Sequence, residues 1–300
     1  MKIAYVILAH NVPEHFFRLV NRLSHPDDMF FVHVDKETDI NIFKNQGYSQ
    51  NSKIQWIKNR ENGQWGGLGI VCATINALKE IASSTILFDH IILLSGVDYP
   101  IKSLNQIRSF YKENKNNVFI TYEPFPIERL SYKGMDRIEY YSTSIFGKRG
   151  TFLPKSWIKH YSIKGKIFNY LLGIKLLGKP PRKFPYNWTP YYGSQWWSIS
   201  NNALMFVLEF LNKNPDYIKY HKYSQLPDEF FFQSIFLNTY PHKEYIVNDN
   251  KRLIKFDNNS SHPKTYNNDD LDELINCEKF FARKFKENSE ILNSIDKMTL

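Results

Sequence analysis

The feature that most constrains this chain is a series of short apolar segments that alternate with segments of helical periodicity. Five apolar segments in the first 121 residues are typical of buried strands: 3–8, 29–34, 54–57, 90–95 and 118–121. Helical patterns occupy 13–23, 67–81 and 103–113 between them. Because strands alternate with helices and are apolar throughout, the sequence predicts an α/β fold with a mainly parallel sheet covered on both faces.

Polar residues follow several of these predicted strands at their carboxyl ends. His10 follows the first strand, Asp35 the second and Asp98 the fourth. Ligands of open α/β sheets bind at this edge. Neither GxGxxG nor GxxxxGK[ST] occurs in the sequence, so a Rossmann dehydrogenase and a P-loop NTPase are poor fits. The sequence therefore predicts a nucleotide site of another kind.

An adjacent pair of carboxylates, Asp228 and Glu229, stands in the second half between a proline and three phenylalanines. Pro227 suits the first position of a helix, predicted to run to about residue 237, and acidic residues are favoured in its first turn. A carboxylate held rigidly beside aromatic surface is partly desolvated, and this raises its pKa toward the range of a general base. The alternative is an acidic helix start with no further role. Before this helix, 191–199 is predicted as one strand that returns to the sheet, and 201–212 as a helix.

Composition narrows the class of protein. A hydrophobic content of 42% and a charged content of 23% are ordinary for a folded globular chain. The two cysteines, Cys72 and Cys277, argue against a disulfide framework or a cysteine-based zinc site. No segment reaches about 18 uninterrupted apolar residues, and 1–10 resembles a buried strand more than a signal peptide, so we expect a cytoplasmic protein. Without a linker or repeat we expect one domain over 1–300, with a nucleotide-binding half (1–125) and an acceptor-binding and catalytic half (126–300).

The net charge of +9 is concentrated in one segment. Between Lys148 and Lys183 there are ten lysines and arginines and no acidic residue, interleaved with large apolar side chains. Such a mixture favours peripheral contact of 148–183 with an anionic membrane, here the inner face of the cell membrane. The alternative is an ordinary helix that buries its apolar side on the sheet and leaves its lysines in solvent. Nucleic-acid binding is not expected, because no DNA- or RNA-binding motif accompanies the charge.

Eight short motifs resemble, in order, those of the core-2/I-branching β-1,6-N-acetylglucosaminyltransferase family, which includes peptide O-xylosyltransferases. They are AYVILAH (4–10), VHVDK (32–36), QWGG (64–67), LSGVDYPIK (94–102), GSQWW (193–197), PDE (227–229), HPK (262–264) and FARKF (281–285). The resemblance is to a bacterial-type member of this family, and it implies a GT-A-type glycosyltransferase fold.

The same resemblance implies an inverting, metal-independent transfer of a sugar from a UDP-sugar to a hydroxyl of a glycan or lipid-linked glycan acceptor, in bacterial surface polysaccharide synthesis. N-Acetylglucosamine is the expected sugar, with UDP-xylose as the alternative donor. No cofactor and no divalent metal are expected. Two competing hypotheses remain: a non-catalytic protein that binds nucleotide sugars or glycans, and a basic protein that binds membranes or nucleic acid.

For the donor side, the resemblance implies roles for six residues. Glu229 matches the general base. The family uses basic side chains where other GT-A enzymes use a metal, and cations stabilise a leaving phosphate electrostatically. Lys264 and Lys284 match the cations that hold the diphosphate, and Arg283 is a further candidate cation. Asp35 and His10 match the nucleoside pocket.

For the acceptor side, the expectations are broader. Neighbouring residues of a strand face opposite ways, so we expect one ring of Trp196 and Trp197 in the core and the other near the acceptor sugar. Arg137 lies in the polar region where acceptor contacts of the family cluster. Asp228 is expected to cap its own helix and to orient the loop beside the acceptor.

Overall fold

The structure, a computed structural model, describes residues 1–44, 53–256 and 263–299. Within these ranges the strands are β1 (Ile3–Ala9), β2 (Met29–Val34), β3 (Ile54–Trp56), β4 (His90–Ser95), β5 (Tyr99–Pro100), β6 (Val118–Ile120), β7 (Glu123–Pro124), β8 (Ser142–Ile145), β9 (Lys148–Thr151), β10 (Tyr191–Tyr192), β11 (Trp197–Ser200), β12 (Ile246–Val247), β13 (Arg252–Ile254) and β14 (Phe281–Arg283). The α-helices are α1 (Pro13–Leu23), α2 (Asn41–Lys44), α3 (Gly69–Ala82), α4 (Leu104–Glu113), α5 (Asp136–Glu139), α6 (Ile163–Lys175), α7 (Asn201–Lys213), α8 (Pro215–His221), α9 (Phe231–Thr239), α10 (Leu271–Asn276) and α11 (Glu290–Met298).

A seven-stranded sheet forms the centre of the molecule, in the order β12-β6-β11-β4-β1-β2-β3. β1 pairs in parallel with both β2 and β4, β2 with β3, and β6 with β12. β11 alone among these strands is antiparallel to its neighbours, β4 and β6. The predicted α/β fold with a mainly parallel sheet is therefore confirmed.

Both faces of this sheet are covered by apolar clusters. Along β1, Ala4 and Val6 belong to the cluster that includes residues of α3, α7 and α9, whereas Ile3, Tyr5 and Ile7 belong to the cluster on α1 and α4. Successive side chains of a strand point to opposite faces, so a strand buried on both faces is apolar at every position. This explains why the strand segments could be recognised as continuous apolar runs.

A smaller three-stranded sheet, β13-β14-β5, lies beside the central sheet. β14 pairs in parallel with β13 and antiparallel with β5. Its pairing with Tyr99 and Pro100 brings the motif at 281–285 against the motif at 94–102, nearly two hundred residues earlier in the chain. No helix in the described ranges is long and apolar enough to cross a membrane.

Two predicted elements differ from the structure. The segment 191–199 is not one strand: β10 pairs with β7 outside the central sheet, and only β11 enters that sheet. The predicted helix 227–237 is a 3-10 turn over Pro227–Glu229 followed by α9, with Phe230 at φ −149° between them. The physical reason is a tertiary hydrogen bond: Gly193 N donates to the Glu229 carbonyl at 2.7 Å and joins the two segments. The backbone conformation of each segment therefore depends on the other segment, which the local sequence pattern does not show.

Candidate functional site

Glu229 is held in place by backbone hydrogen bonds to two other motifs. Gly193 N donates to the Glu229 carbonyl at 2.7 Å, and Leu226 N donates to the Gly66 carbonyl at 3.0 Å. Gln233, fully buried in α9, donates from Nε2 to the Ser194 carbonyl at 2.7 Å. The segments 64–67, 193–197 and 227–229, far apart in sequence, therefore meet around this carboxylate.

The glycines of these motifs are required by close approach. A Cβ on Gly193 would lie 1.9 Å from the Thr121 carbonyl oxygen, far inside van der Waals contact. Gly66 has φ +75°, a conformation that side chains other than glycine rarely adopt, and a Cβ there would lie 2.7 Å from Gln225 Nε2. The two glycines allow the backbone that carries Glu229 to pack directly on its neighbours.

The carboxylate of Glu229 forms an ion pair with Arg137, whose Nη1 donates to Oε2. Burial raises the pKa of Glu229, and the Arg137 guanidinium acts against this shift without cancelling it. The glutamate side chain keeps 26% of its surface exposed, and among the described residues no donor contacts its Oε1 oxygen. The arrangement provides a partly exposed carboxylate that is anchored at one oxygen and able to accept a proton at the other.

The neighbouring Asp228 is buried, and its pKa is raised to about 7 by desolvation and by the charge of Glu229. Its Oδ1 has no hydrogen-bond partner in the described part of the chain. The prediction that Asp228 caps its own helix is wrong. Leu226 and Phe230 occupy the positions before the 3-10 turn and α9, and no side chain caps either element, because the turn ends before the α-helix begins.

Asp35 and His10 lie side by side at the carboxyl ends of β2 and β1. The strands are in register there, with Ala9 opposite Val34, and Asp35 N donates to the Ala9 carbonyl at 2.8 Å. The carboxylate of Asp35 accepts from Glu37 N at 2.9 Å and from Gly63 N at 2.6 Å. Asp35 therefore orders the loop that leads to Gly66, while its oxygens retain further capacity to accept hydrogen bonds.

Lys264 and Lys284 lie on adjacent backbone segments. Lys284 N donates to the Lys264 carbonyl at 3.2 Å, and Tyr266 N donates to the Lys284 carbonyl at 3.0 Å. The Lys264 ammonium pairs with Asp270 at 2.6 Å, a partner that the sequence analysis did not identify. His262, the first residue of the same motif, lies outside the described residues. The backbones of the two lysines therefore lie next to each other, as the expected diphosphate site requires.

Arg283 connects this pair of lysines to the GSQWW motif. Its guanidinium lies over the Trp196 ring, 5.1 Å from the centroid, and its Nε is 3.8 Å from Oδ1 of Asp98. Asp98 is buried, and desolvation raises its pKa although Arg283 and Arg252 lower it. Trp196 N in turn donates to Ser194 Oγ at 3.3 Å. Ser194 follows Gly193, whose N–H donates to the Glu229 carbonyl.

The two tryptophans of the GSQWW motif differ in what their rings contact. Trp197 is fully buried in the main core, which confirms that one ring of the pair belongs to the core. Trp196 is also buried, at 6% exposure, and its ring packs on Arg283. The ring of Trp196 is therefore covered on one face by the guanidinium, and its expected position near the acceptor sugar stays a prediction.

Sequence reasoning missed Tyr192 beside the carboxylate. Arg137 lies over its ring at 5.3 Å and Arg129 at 5.6 Å, while Arg129 also pairs with Glu123. Burial raises the pKa of the Tyr192 hydroxyl, and Glu229 raises it further. Its position directly before the GSQWW motif was the available signal. Among the described residues, no group of three or more His, Cys, Asp or Glu side chains is placed to hold a metal ion.

Comparison with known proteins agrees with this set of motifs. Residues 3–276 match the family described as Core-2/I-Branching enzyme. A mouse N-acetyllactosaminide β-1,6-N-acetylglucosaminyl-transferase is 25% identical, over 96% of this chain and 69% of that protein. Mouse xylosyltransferase 1 is 22% identical over 99% of this chain, which spans only 30% of that longer protein.

Among solved structures, the apo form of mouse xyloside xylosyltransferase 1 aligns with 94% of this chain and 97% of its own, at a TM-score of 0.41 and 12% identity. The family match covers most of the chain. The chain therefore belongs to the core-2/I-branching enzyme family.

Proposed function

We propose that this protein transfers a sugar from a UDP-sugar to a hydroxyl of a glycan acceptor, with inversion at the anomeric carbon and without a divalent metal. The observation that carries the proposal is Glu229, a partly exposed carboxylate of raised pKa, anchored by Arg137 and by backbone bonds to two family motifs. A binding protein has no need of a carboxylate positioned in this way, whereas an inverting transferase requires one base.

In the proposed reaction, Glu229 takes the proton of the acceptor hydroxyl while the hydroxyl oxygen attacks the anomeric carbon. The bond from that carbon to the diphosphate oxygen breaks, and UDP leaves with the bonding electrons. Lys264 and Lys284 neutralise the charge that develops on the diphosphate, with Arg283 beside them. Asp35 accepts a hydrogen bond from the nucleoside, next to His10.

The donor we propose is UDP-N-acetylglucosamine, and the second candidate is UDP-xylose. The first is supported by the β-1,6-N-acetylglucosaminyl-transferase relative, of which this chain spans 69%. The second is supported by the several xylosyltransferases that match nearly the whole chain. Because their identities are all 25% or lower, the choice between the donors rests on measurement.

For the acceptor, we propose a glycan or a lipid-linked glycan of bacterial surface polysaccharide synthesis, modified on the cytoplasmic side of the cell membrane. The concentration of positive charge at 148–183 supports a setting at an anionic surface. A soluble oligosaccharide and the same glycan on a lipid carrier would separate the two kinds of acceptor in a transfer assay.

The decisive test is calorimetric binding of UDP, UDP-N-acetylglucosamine, UDP-xylose and UDP-glucose, each in EDTA and in manganese. We expect binding in EDTA that selects one UDP-sugar. Binding that requires manganese would contradict the metal-free assignment, and absence of binding under both conditions would contradict the donor class.

Catalysis is tested separately with Glu229→Gln. We expect this variant to bind UDP as the parent does and to lose most turnover, while the matched variant Glu209→Gln, on the exposed surface of α7, keeps both. Unchanged turnover in Glu229→Gln would contradict the role of Glu229 as the base and would favour the hypothesis of a non-catalytic binding protein.

A further inference from the structure

The outer face of α6 carries a continuous apolar stripe. Its five members follow one another at steps of four, three, four and three residues, the spacing that places side chains on one side of a helix. Between 54% and 87% of the surface of each residue is exposed. They are Ile163, Ile167, Tyr170, Ile174 and, just beyond the end of the helix, Leu177.

The opposite face of α6 is fixed to the β8–β9 hairpin and the segment after it. Asn169 accepts from Leu153 N at 2.9 Å and donates to the Leu153 carbonyl at 3.0 Å. Leu172 is buried, and the Phe168 ring packs so closely over Gly150 that a Cβ there would lie 2.5 Å from it. The stripe is therefore not a core face left uncovered by chance, since the helix has a second, well-packed side.

The turn of the hairpin extends this apolar surface. Phe146, at the turn between β8 and β9, is 91% exposed. Lys175, at the end of α6, donates from Nζ to the Ser144 carbonyl at 2.5 Å, so the turn and the carboxyl end of the helix are neighbours. Together, the stripe and Phe146 form what we call the α6 face.

Positive charge surrounds the α6 face. The segment between 148 and 183 holds eight lysines, all exposed, and no acidic residue. Its two arginines, Arg149 and Arg182, instead donate to backbone carbonyls inside the protein. Without the eight exposed lysines of this segment the chain carries 31 basic and 30 acidic residues, so nearly all of the net positive charge comes from these lysines.

We propose that the α6 face docks on an anionic lipid surface, with its apolar side chains at the level of the headgroups and its lysines against the lipid charges. A helix with an apolar stripe bordered by lysines is the arrangement that lies in a membrane interface. Lysines near an anionic leaflet each add to the attraction, which salt weakens. Five exposed apolar residues have no comparable role against a nucleic-acid backbone, which is bound through charge.

The α6 face also lies beside the candidate site. Gln64 donates from Nε2 to the Gly147 carbonyl at 3.0 Å and accepts from Ser144 Oγ at 3.1 Å. The next residue, Trp65, is 71% exposed, and Gly66 bonds the segment that carries Glu229. If the proposed transferase activity holds, docking presents this loop and Glu229 to acceptors carried on lipid.

The test is cosedimentation of the full chain with vesicles of phosphatidylcholine alone or with added phosphatidylglycerol, at low and high salt. We expect binding to the anionic vesicles that salt weakens. The triple variant Phe146→Ser, Ile167→Ser, Ile174→Ser should bind at least about tenfold more weakly. Lys159→Gln, Lys164→Gln and Lys166→Gln together should lose about fivefold per lysine.

Matched controls make the result specific. Leu87→Ser with Met205→Ser removes exposed apolar residues elsewhere, and Lys213→Gln with Lys219→Gln removes exposed lysines elsewhere; both should bind vesicles as the parent does. Far-UV circular dichroism of every variant reports folding, and UDP binding measured beside it separates this inference from the donor assignment. Equal vesicle binding by the parent and the Phe146/Ile167/Ile174 variant, no binding by the parent, or tighter binding of the parent to duplex DNA or RNA than to anionic vesicles would overturn the proposal.

Discussion

Arg137 donates a hydrogen bond to Oε2 of Glu229 although 92 residues of sequence separate them. Two opposing effects act on the pKa of Glu229: burial raises it, and the guanidinium of Arg137 lowers it. We therefore infer that the arginine positions and tunes the proposed base, while its expected contact with the acceptor stays a prediction.

Arg137→Ala should move the acidic limb of the pH–rate profile to higher pH. Without the guanidinium the pKa of Glu229 rises further, so a larger share of the base is protonated and inactive at a given pH. The measurement is kcat/KM for sugar transfer against pH. Arg137→Lys should restore part of the shift. In the matched control, Arg129→Ala, the limb should stay in place, and an unshifted limb in Arg137→Ala would contradict the role of the pair.

Glu229→Gln should lower kcat by about 10²–10⁴, the usual contribution of general acid–base catalysis. The amide keeps the shape of the side chain but cannot take the proton of the acceptor. Steady-state transfer kinetics measure the loss, and UDP affinity should be within about twofold of the parent value. A large loss of UDP affinity would indicate a donor-site role for Glu229 in place of the proposed one.

Asp228→Asn should make stability less dependent on pH. The pKa of Asp228 is raised from 3.8 to about 7 in the folded protein, so between about pH 4 and pH 7 the folded state binds more protons than the unfolded state. Stability from this group is therefore lost as pH rises through that window, by roughly 1.4 kcal/mol per pKa unit at most.

Urea unfolding at pH 5 and pH 8 checks this expectation. The parent should lose stability relative to Asp228→Asn between the two values, with Asp216→Asn, an exposed residue of α8, as the control. An equal change in parent and variant would show that Asp228 is not the group responsible.

Lys264→Ala and Lys284→Ala should each weaken UDP binding by roughly tenfold to a hundredfold, since a hydrogen bond to a charged group is worth about 1.5–3 kcal/mol. Calorimetry in EDTA measures the change, and Lys213→Ala and Lys219→Ala serve as surface controls. Because Lys264 also pairs with Asp270, Asp270→Asn distinguishes the two effects: it should leave UDP binding intact or tighten it. If the double variant Lys264→Ala, Lys284→Ala bound UDP as tightly as the parent, the assignment of these lysines to the diphosphate would be wrong.

Gly193→Ala should reduce both stability and turnover. The added methyl group would lie 1.9 Å from the Thr121 carbonyl oxygen, so the backbone that bonds Glu229 must move, at a cost of about 3 kcal/mol. Gly147→Ala is the comparison, because its Cβ would meet no atom of the described residues within 4 Å and only its φ of +74° is unfavourable. Thermal unfolding and transfer kinetics should show the larger loss in Gly193→Ala, and equal losses would contradict the packing argument.

The sequence by itself determined the parallel part of the sheet, and its motifs supplied the residues that we propose for the site. Strands buried on both faces are apolar at every position, so β1, β2 and β4 could be recognised without a structure. Glu229, Asp35 and the two lysines stood in short motifs whose order resembled a family, and the family match over 3–276 includes all of these motifs except FARKF (281–285).

The tertiary structure decided what depends on contacts between distant residues. The pairing of Glu229 with Arg137, the break at Phe230, and the burial of Trp196 under Arg283 have no local sequence signal, because their partners come from other parts of the chain. The helix pattern of α6 was likewise ambiguous, since it has apolar residues on two sides. The contacts of Asn169 and Leu172 determine which side of α6 packs on the hairpin and which side is exposed. Local periodicity cannot predict this, because both sides carry apolar residues.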